Sequence, residues 1–359
     1  MVDLGNSFVR RGYNVSLITG KLVERNNVIH KSIVISRIIN YNRKSNFHRL
    51  LTWSIGVLQI LFLVWFKYPN HKLFIVSNPP FWPIIPFFTK NKYSVLIYDI
   101  FPDALVEFGL LSNKSKFIKL WQKLNTLVFN KAEFIYTITD GMKYIIEKYA
   151  ENREIKVIPI WTDNTFLKPI PKEENLFAKM HKLNNKFVVM YSGSLGYASN
   201  ITVLLEIARF TKNKDIIYVI IGDGILKKKL YQKINEYNLS NCILLPLQDV
   251  KTLPFSMSSA DISVVSLDKF ASKLAIPSKL FNYLSVGSPI LSLSDPDSDL
   301  ARLVERNEVG KNFDVSDISK IVDFIQQLAD NSEEFKRLSA NSLTMSRLFT
   351  CKNADLIVA

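Results

Sequence analysis

Cysteine is almost absent: the 359 residues hold two, Cys242 and Cys351, at no close spacing. This excludes a disulfide framework and a cysteine-based metal knuckle, and it fits a reducing cytosol. Histidine is as sparse, and His30, His48, His71 and His181 stand apart with no metal-ligand spacing. No metal site is expected. Met1 to Arg11 reads as a polar-apolar helix without the apolar core of a secretory signal. Acidic residues are outnumbered, 32 Asp+Glu against 46 Lys+Arg, for a net charge of +14. Such an excess points to phosphorylated substrates or an anionic membrane surface. Nucleic acid fits the charge alone, since no recognition helix or RNA-binding signature is present, and no nucleic-acid partner is expected. What is abundant is ordinary globular material, 48% hydrophobic and 22% charged, enough for about two domains with separate cores.

Strand-like and helix-like runs alternate, the mark of an α/β chain with parallel sheets. Leu4, Phe8 and Val9 share a helical face, Gly12 closes it, and Tyr13 to Thr19 alternates as a strand. Such a unit ordinarily starts with a strand and a glycine turn before its first helix, so the chain is expected to begin inside its first βαβ unit. Leu73 to Ser77, Ser94 to Tyr98, Phe134 to Ile138 and Lys156 to Ile160 follow as short β-rich runs. The second delivers Asp99 at a carboxyl end, where open α/β sheets place ligands. Asp103 and Glu107, in the helix that Pro102 starts, read as complements to the helix dipole. Trp161 to Asn185 carries Pro169, Pro171 and a charged tract, and reads as a linker with the domain boundary near Pro171.

A second series begins with Phe187 to Tyr191, running into Ser192-Gly193-Ser194-Leu195-Gly196. Ile216 to Ile221 runs into Gly222-Asp223-Gly224 and a helix with Lys227, Lys228 and Lys229. Cys242 to Leu245, Ile262 to Ser266 and Ile290 to Leu293 complete the expected sheet. Glycine after a strand lets backbone approach a phosphate closely. Ile276 to Pro289 adds a loop and a short helix, with Ser278 as expected N-cap, Leu280, Phe281 and Leu284 as an apolar stripe, and Gly287 as a left-handed cap. Ser278 and Lys279 are thereby set at a helix N-terminus, which favours an anion such as a nucleotide diphosphate. An ordinary capped helix packed on a sheet fits the same residues.

One long apolar run stands out, Leu50 to Phe66, bounded by Arg49 and Lys67. As a helix its 17 residues measure roughly 25 Å, a little short of a bilayer core. Three placements fit: buried on the sheet, lying in a membrane interface, or spanning. Trp53 and Trp65 near the ends and the basic flanks favour the interface over a plain core helix. The Asn78-Pro79-Pro80-Phe81-Trp82-Pro83 turn is expected to expose aromatics.

Taken in order, Tyr191 to Gly196, Ile221 to Gly224, Ser259-Ala260-Asp261-Ile262 and Pro277-Ser278-Lys279 with Gly287 and Pro289 resemble the C-terminal half of family 4 glycosyltransferases. The likeness is to the branch that builds bacterial O-antigen and capsule polysaccharides. Arg10 to Val15, Asn78 to Pro80 and Asp99-Ile100-Phe101-Pro102-Asp103 extend it into the first half. The resemblance implies a GT-B fold, two Rossmann-like domains with parallel sheets facing across a cleft. Residues 1–170 would bind the acceptor and 171–342 the nucleotide sugar, with a helix over 343–359 crossing back to the first domain.

The resemblance further implies a metal-independent transfer, retaining at the anomeric carbon, from a UDP-sugar co-substrate to a polyprenyl-diphosphate-linked glycan. A UDP-sugar epimerase on the same fold and a non-catalytic fragment are the alternatives. Gly193, Ser194 and Gly196 would approach the diphosphate. Gly222, Asp223 and Gly224 would line the nucleotide pocket, main chain around Leu245 to Leu247 would meet the base, and Ser278 and Lys279 would hold phosphate. Asp99 matches the acceptor-side residue that orients or deprotonates the hydroxyl. Two departures stand out: Leu274 and Asn282 occupy the positions of paired glutamates, and Asn282 lacks the strength of a carboxylate towards ribose hydroxyls. The expected place of work is cytoplasmic, peripheral on the inner face of the cell membrane.

Overall fold

A computed structural model describes residues 1–22, 28–42, 44–107, 111–196, 199–269 and 276–358. The chain divides into two compact units, Met1–Pro159 with Lys352–Ala359, and Ile160–Cys351.

Unit 1 runs α1 (Val2–Arg10), β1 (Ser16–Thr19), β2 (Val34–Arg37), α2 (Asn46–Phe66), β3 (Leu73–Val76), α3 (Ile84–Phe88), β4 (Tyr93–Ile97), α4 (Asp103–Glu107), α5 (Lys116–Lys131), β5 (Ile135–Thr137), α6 (Asp140–Glu147) and β6 (Ile155–Val157). All its ladders are parallel: β1 pairs with β2, and β3, β4, β5 and β6 form a second sheet in that order. Strand β4 is buried throughout, as a strand covered on both faces must be. Its Val95 and Ile97 share a core with Ile75, Phe129, Ile135 and Ile146.

Helix α2 commits one stripe to that unit, Val57, Leu61 and Val64 at i, i+4 and i+7, all buried. Ser45 caps it by accepting from the His48 amide at 3.2 Å. The opposite face is bare, with Phe47, Leu50, Leu51, Leu58, Phe62, Trp65 and Phe66 exposed. It is therefore not a plain core helix. The Asn78–Pro83 turn departs from expectation in the other direction, because Trp82 is buried against Phe129, 5.6 Å between ring centroids. A full indole in a core outweighs display in a turn.

Unit 2 runs α7 (Leu176–Met180), β7 (Phe187–Ser194), α8 (Val203–Phe210), β8 (Ile216–Asp223), α9 (Lys227–Glu236), β9 (Cys242–Leu245), α10 (Leu253–Ser258), β10 (Ile262–Ser266), α11 (Lys279–Ser285), β11 (Ile290–Leu293), α12 (Asp299–Arg306), β12 (Gly310–Phe313), α13 (Ile318–Asp330) and α14 (Ser332–Ser346). A short helix, α15 (Asp355–Val358), ends the chain in unit 1. The six-stranded sheet has the order β12-β11-β10-β7-β8-β9, parallel throughout. Its middle places β7 between β10 and β8, so the strand order reverses between β7 and β10, and the carboxyl ends of those two strands flank the crevice that such sheets use for ligands.

Three elements differ from the sequence pattern. Strand β12, Gly-Lys-Asn-Phe, has one apolar side chain and is legible only through its pairing with β11. The stretch read as a linker contributes Leu167, fully buried among Met257, Leu280 and Leu284, so the crossing into unit 2 comes at Ile160 rather than near Pro171. The tail expected as one helix over 343–359 is broken after Ser346: Phe349 packs on Phe281 at 4.6 Å and Thr350 bridges Thr162. Then α15 meets α1, where Asp355 accepts from Ser7 and pairs with Arg10 at 2.7 Å.

Candidate donor site and acceptor-side carboxylate

The two glycine segments do not simply follow their strands. Ser192, Gly193 and Ser194 are still in β7, and Gly193 pairs with Gly222 and Ser194 with Asp223 on β8. A Cβ on Gly222 would sit 2.0 Å from the Gly193 carbonyl oxygen, so no side chain fits there. Leu195, fully buried, fastens the two ends: its amide donates to Asp223 at 2.9 Å and its carbonyl accepts from Leu226 at 3.0 Å. Gly196 accepts from the Ser199 hydroxyl at 2.7 Å, which shapes the loop into α8. Ser194 is exposed and its carbonyl accepts from the Tyr191 hydroxyl at 2.7 Å.

Helix α11 brings Lys279 to this place. Its ammonium lies 3.6 Å from the centroid of the Tyr191 ring, and a Cβ on Gly193 would come within 2.9 Å of it. Among the described residues it has no carboxylate partner. Desolvation lowers its pKa to about 7. One turn on, the fully buried Tyr283 hydroxyl accepts from the Ser192 amide at 2.8 Å and donates to the Ser192 carbonyl at 3.2 Å. Two phenols thus hold the end of β7 while a cation waits beside it. Neither hydroxyl was singled out from the sequence.

Ser278 does not cap α11, because it is already in right-handed helical geometry and its side chain accepts no amide. The other end is as expected: Gly287 has φ +73°, its amide donates to Leu284 at 3.0 Å and Ser288 donates to Tyr283 at 3.1 Å, a Schellman closure. Asn282 has its carbonyl oxygen occupied by the Thr162 hydroxyl at 2.6 Å, leaving its NH2 group for a ligand. Leu274 lies outside the described residues. Asp223 is exposed, accepts from the Gly224 amide at 3.0 Å and pairs with Lys227 at 3.6 Å. Asp261 of the Ser259–Ile262 segment is turned inward to Lys172 and the Val188 amide, so it joins β7 to β10 and is not available to a ligand.

Beside Gly224 opens a concavity of about 480 Å³ lined by Ile225, Lys227, Lys228, Tyr231, Leu244 and Pro246. Leu245 pairs with Ile221 at the end of β9, and Leu247 is exposed just beyond. Among the described residues no group of three metal-ligating side chains occurs.

In unit 1, Asp99 follows β4, and Ser77 follows β3. The buried Ser77 hydroxyl accepts from the amides of Tyr98 at 2.9 Å and Asp99 at 3.1 Å, which fixes the direction in which Asp99 leaves the sheet. The Asp99 side chain reaches solvent, yet the protein around it desolvates the carboxyl and raises its pKa. Asp103 accepts from Tyr149 at 2.6 Å, a structural use that agrees with no ligand role.

Two parallel α/β units, one with glycine-paired strand ends and a desolvated lysine that has no carboxylate partner among the described residues, are the components of a GT-B fold. Residues 172–345 match the family described as glycosyl transferases group 1. The chain is 22% identical over 298 residues to the probable glycosyltransferase WbjE of Pseudomonas aeruginosa, covering 79% of this chain and 74% of that one. It is 26% identical over 216 residues to the putative colanic acid biosynthesis glycosyl transferase WcaI of Escherichia coli (strain K12), covering 58% and 53%. Among solved structures it is similar to WaaG, a glycosyltransferase involved in lipopolysaccharide biosynthesis, with a TM-score of 0.70 at 12% identity over 99% of this chain and 94% of that one. Anabaena Alr3699/HepE in complex with UDP gives 0.68 at 14% identity over 91% and 85%. The chain has the GT-B fold, and its residues 172–345 match the group 1 glycosyl transferases.

Proposed function

We propose that this enzyme moves a sugar from a UDP-sugar to a polyprenyl-diphosphate-linked glycan in the assembly of a surface polysaccharide, without a metal and with retention at the anomeric carbon. The observation that carries the reading is Lys279, desolvated beside Gly193 with no carboxylate partner among the described residues. A diphosphate supplies that charge, and the interaction strengthens as the bond from the sugar C1 to the diphosphate oxygen breaks and negative charge collects on the leaving group. Gly193, Ser194, Gly196, Gly222 and Gly224 let the nucleotide approach the main chain, and the Asn282 NH2 reaches a ribose hydroxyl. The concavity by Leu244 and Pro246 takes the base.

Asp99 orients the acceptor hydroxyl and takes up its proton as the new C1–oxygen bond forms, a role that its raised pKa suits. One solved relative in fold, Anabaena Alr3699/HepE, carries UDP in one structure and UDP-glucose in another. A chitobiosyldiphosphodolichol beta-mannosyltransferase of Debaryomyces hansenii, 20% identical over 308 residues, is named for a diphosphate-linked lipid acceptor. The WcaI relative is named for a polysaccharide. The place of work is the cytoplasmic face of the cell membrane, in peripheral contact with anionic lipid.

Transfer is measured with UDP-sugars and a lipid-linked acceptor. Asp99→Ala should lower the rate by roughly a hundredfold or more while UDP affinity stays within about threefold. An undiminished rate would remove Asp99 from the mechanism.

A further inference from the structure

We propose that unit 1 docks on an anionic bilayer through the bare face of α2 joined by the end of α3, with α2 lying in the interface and not crossing it. The proposal rests on the reading of a membrane-bound acceptor given above and deepens it by naming the surface that meets the lipid.

By length and composition Phe47–Phe66 is able to cross a membrane, and only 28% of its apolar window is buried in the protein. Its anchoring stripe decides the orientation. Val57, Leu61 and Val64 are between 1% and 5% exposed, and a spanning helix would have to withdraw all three from the core. Among the described residues nothing covers the opposite face. Phe62 and Phe66 stand side by side at 4.7 Å, both at least 60% exposed. Trp65 donates its indole N–H to the Phe88 carbonyl at 3.0 Å, which fuses the exposed Phe87 and Phe88 of α3 to the same patch. Contiguous aromatic surface of this kind is unfavourable in water and suits the headgroup–acyl boundary, where rings are well accommodated.

Charge selects the occupant. Between Glu24 and Asp99 the sequence has no carboxylate and ten Lys or Arg residues. Lys67, next to Phe66, and Lys90, two residues after Phe88, are both exposed. Arg37 shares an open groove with Leu58 and Phe62, where a headgroup phosphate would lie beside a buried acyl chain. A patch apolar at its centre and cationic around it matches anionic phospholipid.

The test uses the full chain and vesicles of phosphatidylcholine with phosphatidylglycerol. Flotation should show binding that weakens at least tenfold in pure phosphatidylcholine, and carbonate washing should release the protein. Amide hydrogen exchange on the unaltered chain should slow over 58–66 and 84–90 when vesicles are added. Phe62→Ser with Phe66→Ser should reduce binding at least tenfold, with an unchanged thermal midpoint showing that the variant is folded. Protection elsewhere or nowhere, retention after carbonate, undiminished binding by the folded variant, or lipid-free self-association abolished by the same substitutions would each overturn the proposal. UDP calorimetry separates the two readings: vesicle binding lost with UDP binding kept defeats the docking surface alone, and the reverse defeats the donor reading alone.

Discussion

Lys279 stands on the Tyr191 ring with its pKa brought down to about 7, and its consequences are measurable. Between pH 7 and its ordinary 10.5 the folded, ligand-free chain binds fewer protons at this site than the unfolded chain. The contribution of this group to stability therefore rises with pH across that window, and it is least favourable below pH 7. Donor binding has the opposite slope. A diphosphate favours the ammonium, so UDP affinity should fall as pH rises above 7, and calorimetry in buffers of different ionisation enthalpy at pH 8 should detect proton uptake on binding. Lys279→Met should weaken UDP binding by about 1.5–3 kcal/mol, the range of a charge-assisted hydrogen bond, or roughly 10- to 150-fold. Tyr283→Phe removes the hydroxyl that serves both backbone groups of Ser192. It should cost about 1–3 kcal/mol in urea unfolding, because those groups lose a buried partner.

At the scale of elements, α11 is set by its end and not by its start. Ser278 contributes no cap, while Gly287 closes the helix at φ +73° with the Leu343 side chain 3.0 Å from where a Cβ would be. Gly287→Ala should therefore destabilise by about 1–2 kcal/mol from the left-handed backbone alone, read as a lower denaturant midpoint. The unusual pairing is between β7 and β8, where Gly193 opposes Gly222. The glycines were visible in the sequence as phosphate-approach signals, but their position within strands was not, because pairing extends a strand beyond its apolar residues. Strand β12 was missed for the same reason. In α2 the periodicity of a continuous apolar run does not separate a buried stripe from a bare one, and only the packing of Val57, Leu61 and Val64 does.

At the scale of the molecule, each unit has cores of its own: Val57 to Ile155 supply one, and three clusters lie wholly within Ile160–Cys351. Residues 160–351 expressed alone should unfold cooperatively and bind UDP within about threefold of the full chain, as followed by circular dichroism and calorimetry. The sequence by itself determined the alternating α/β pattern, the parallel sheets, the order of glycines and lysine that marks a glycosyltransferase, and Asp99 at a strand end. These are local, since side-chain periodicity and the steric demands of Gly and Pro act over a few residues. Tertiary structure alone decided that Tyr191 and Tyr283 hold the end of β7, that Ser77 aims Asp99, that Thr162 takes half of Asn282, and that Lys279 is desolvated. Each depends on segments far apart in the chain, and burial, which sets pKa and the worth of a hydrogen bond, exists only once they meet.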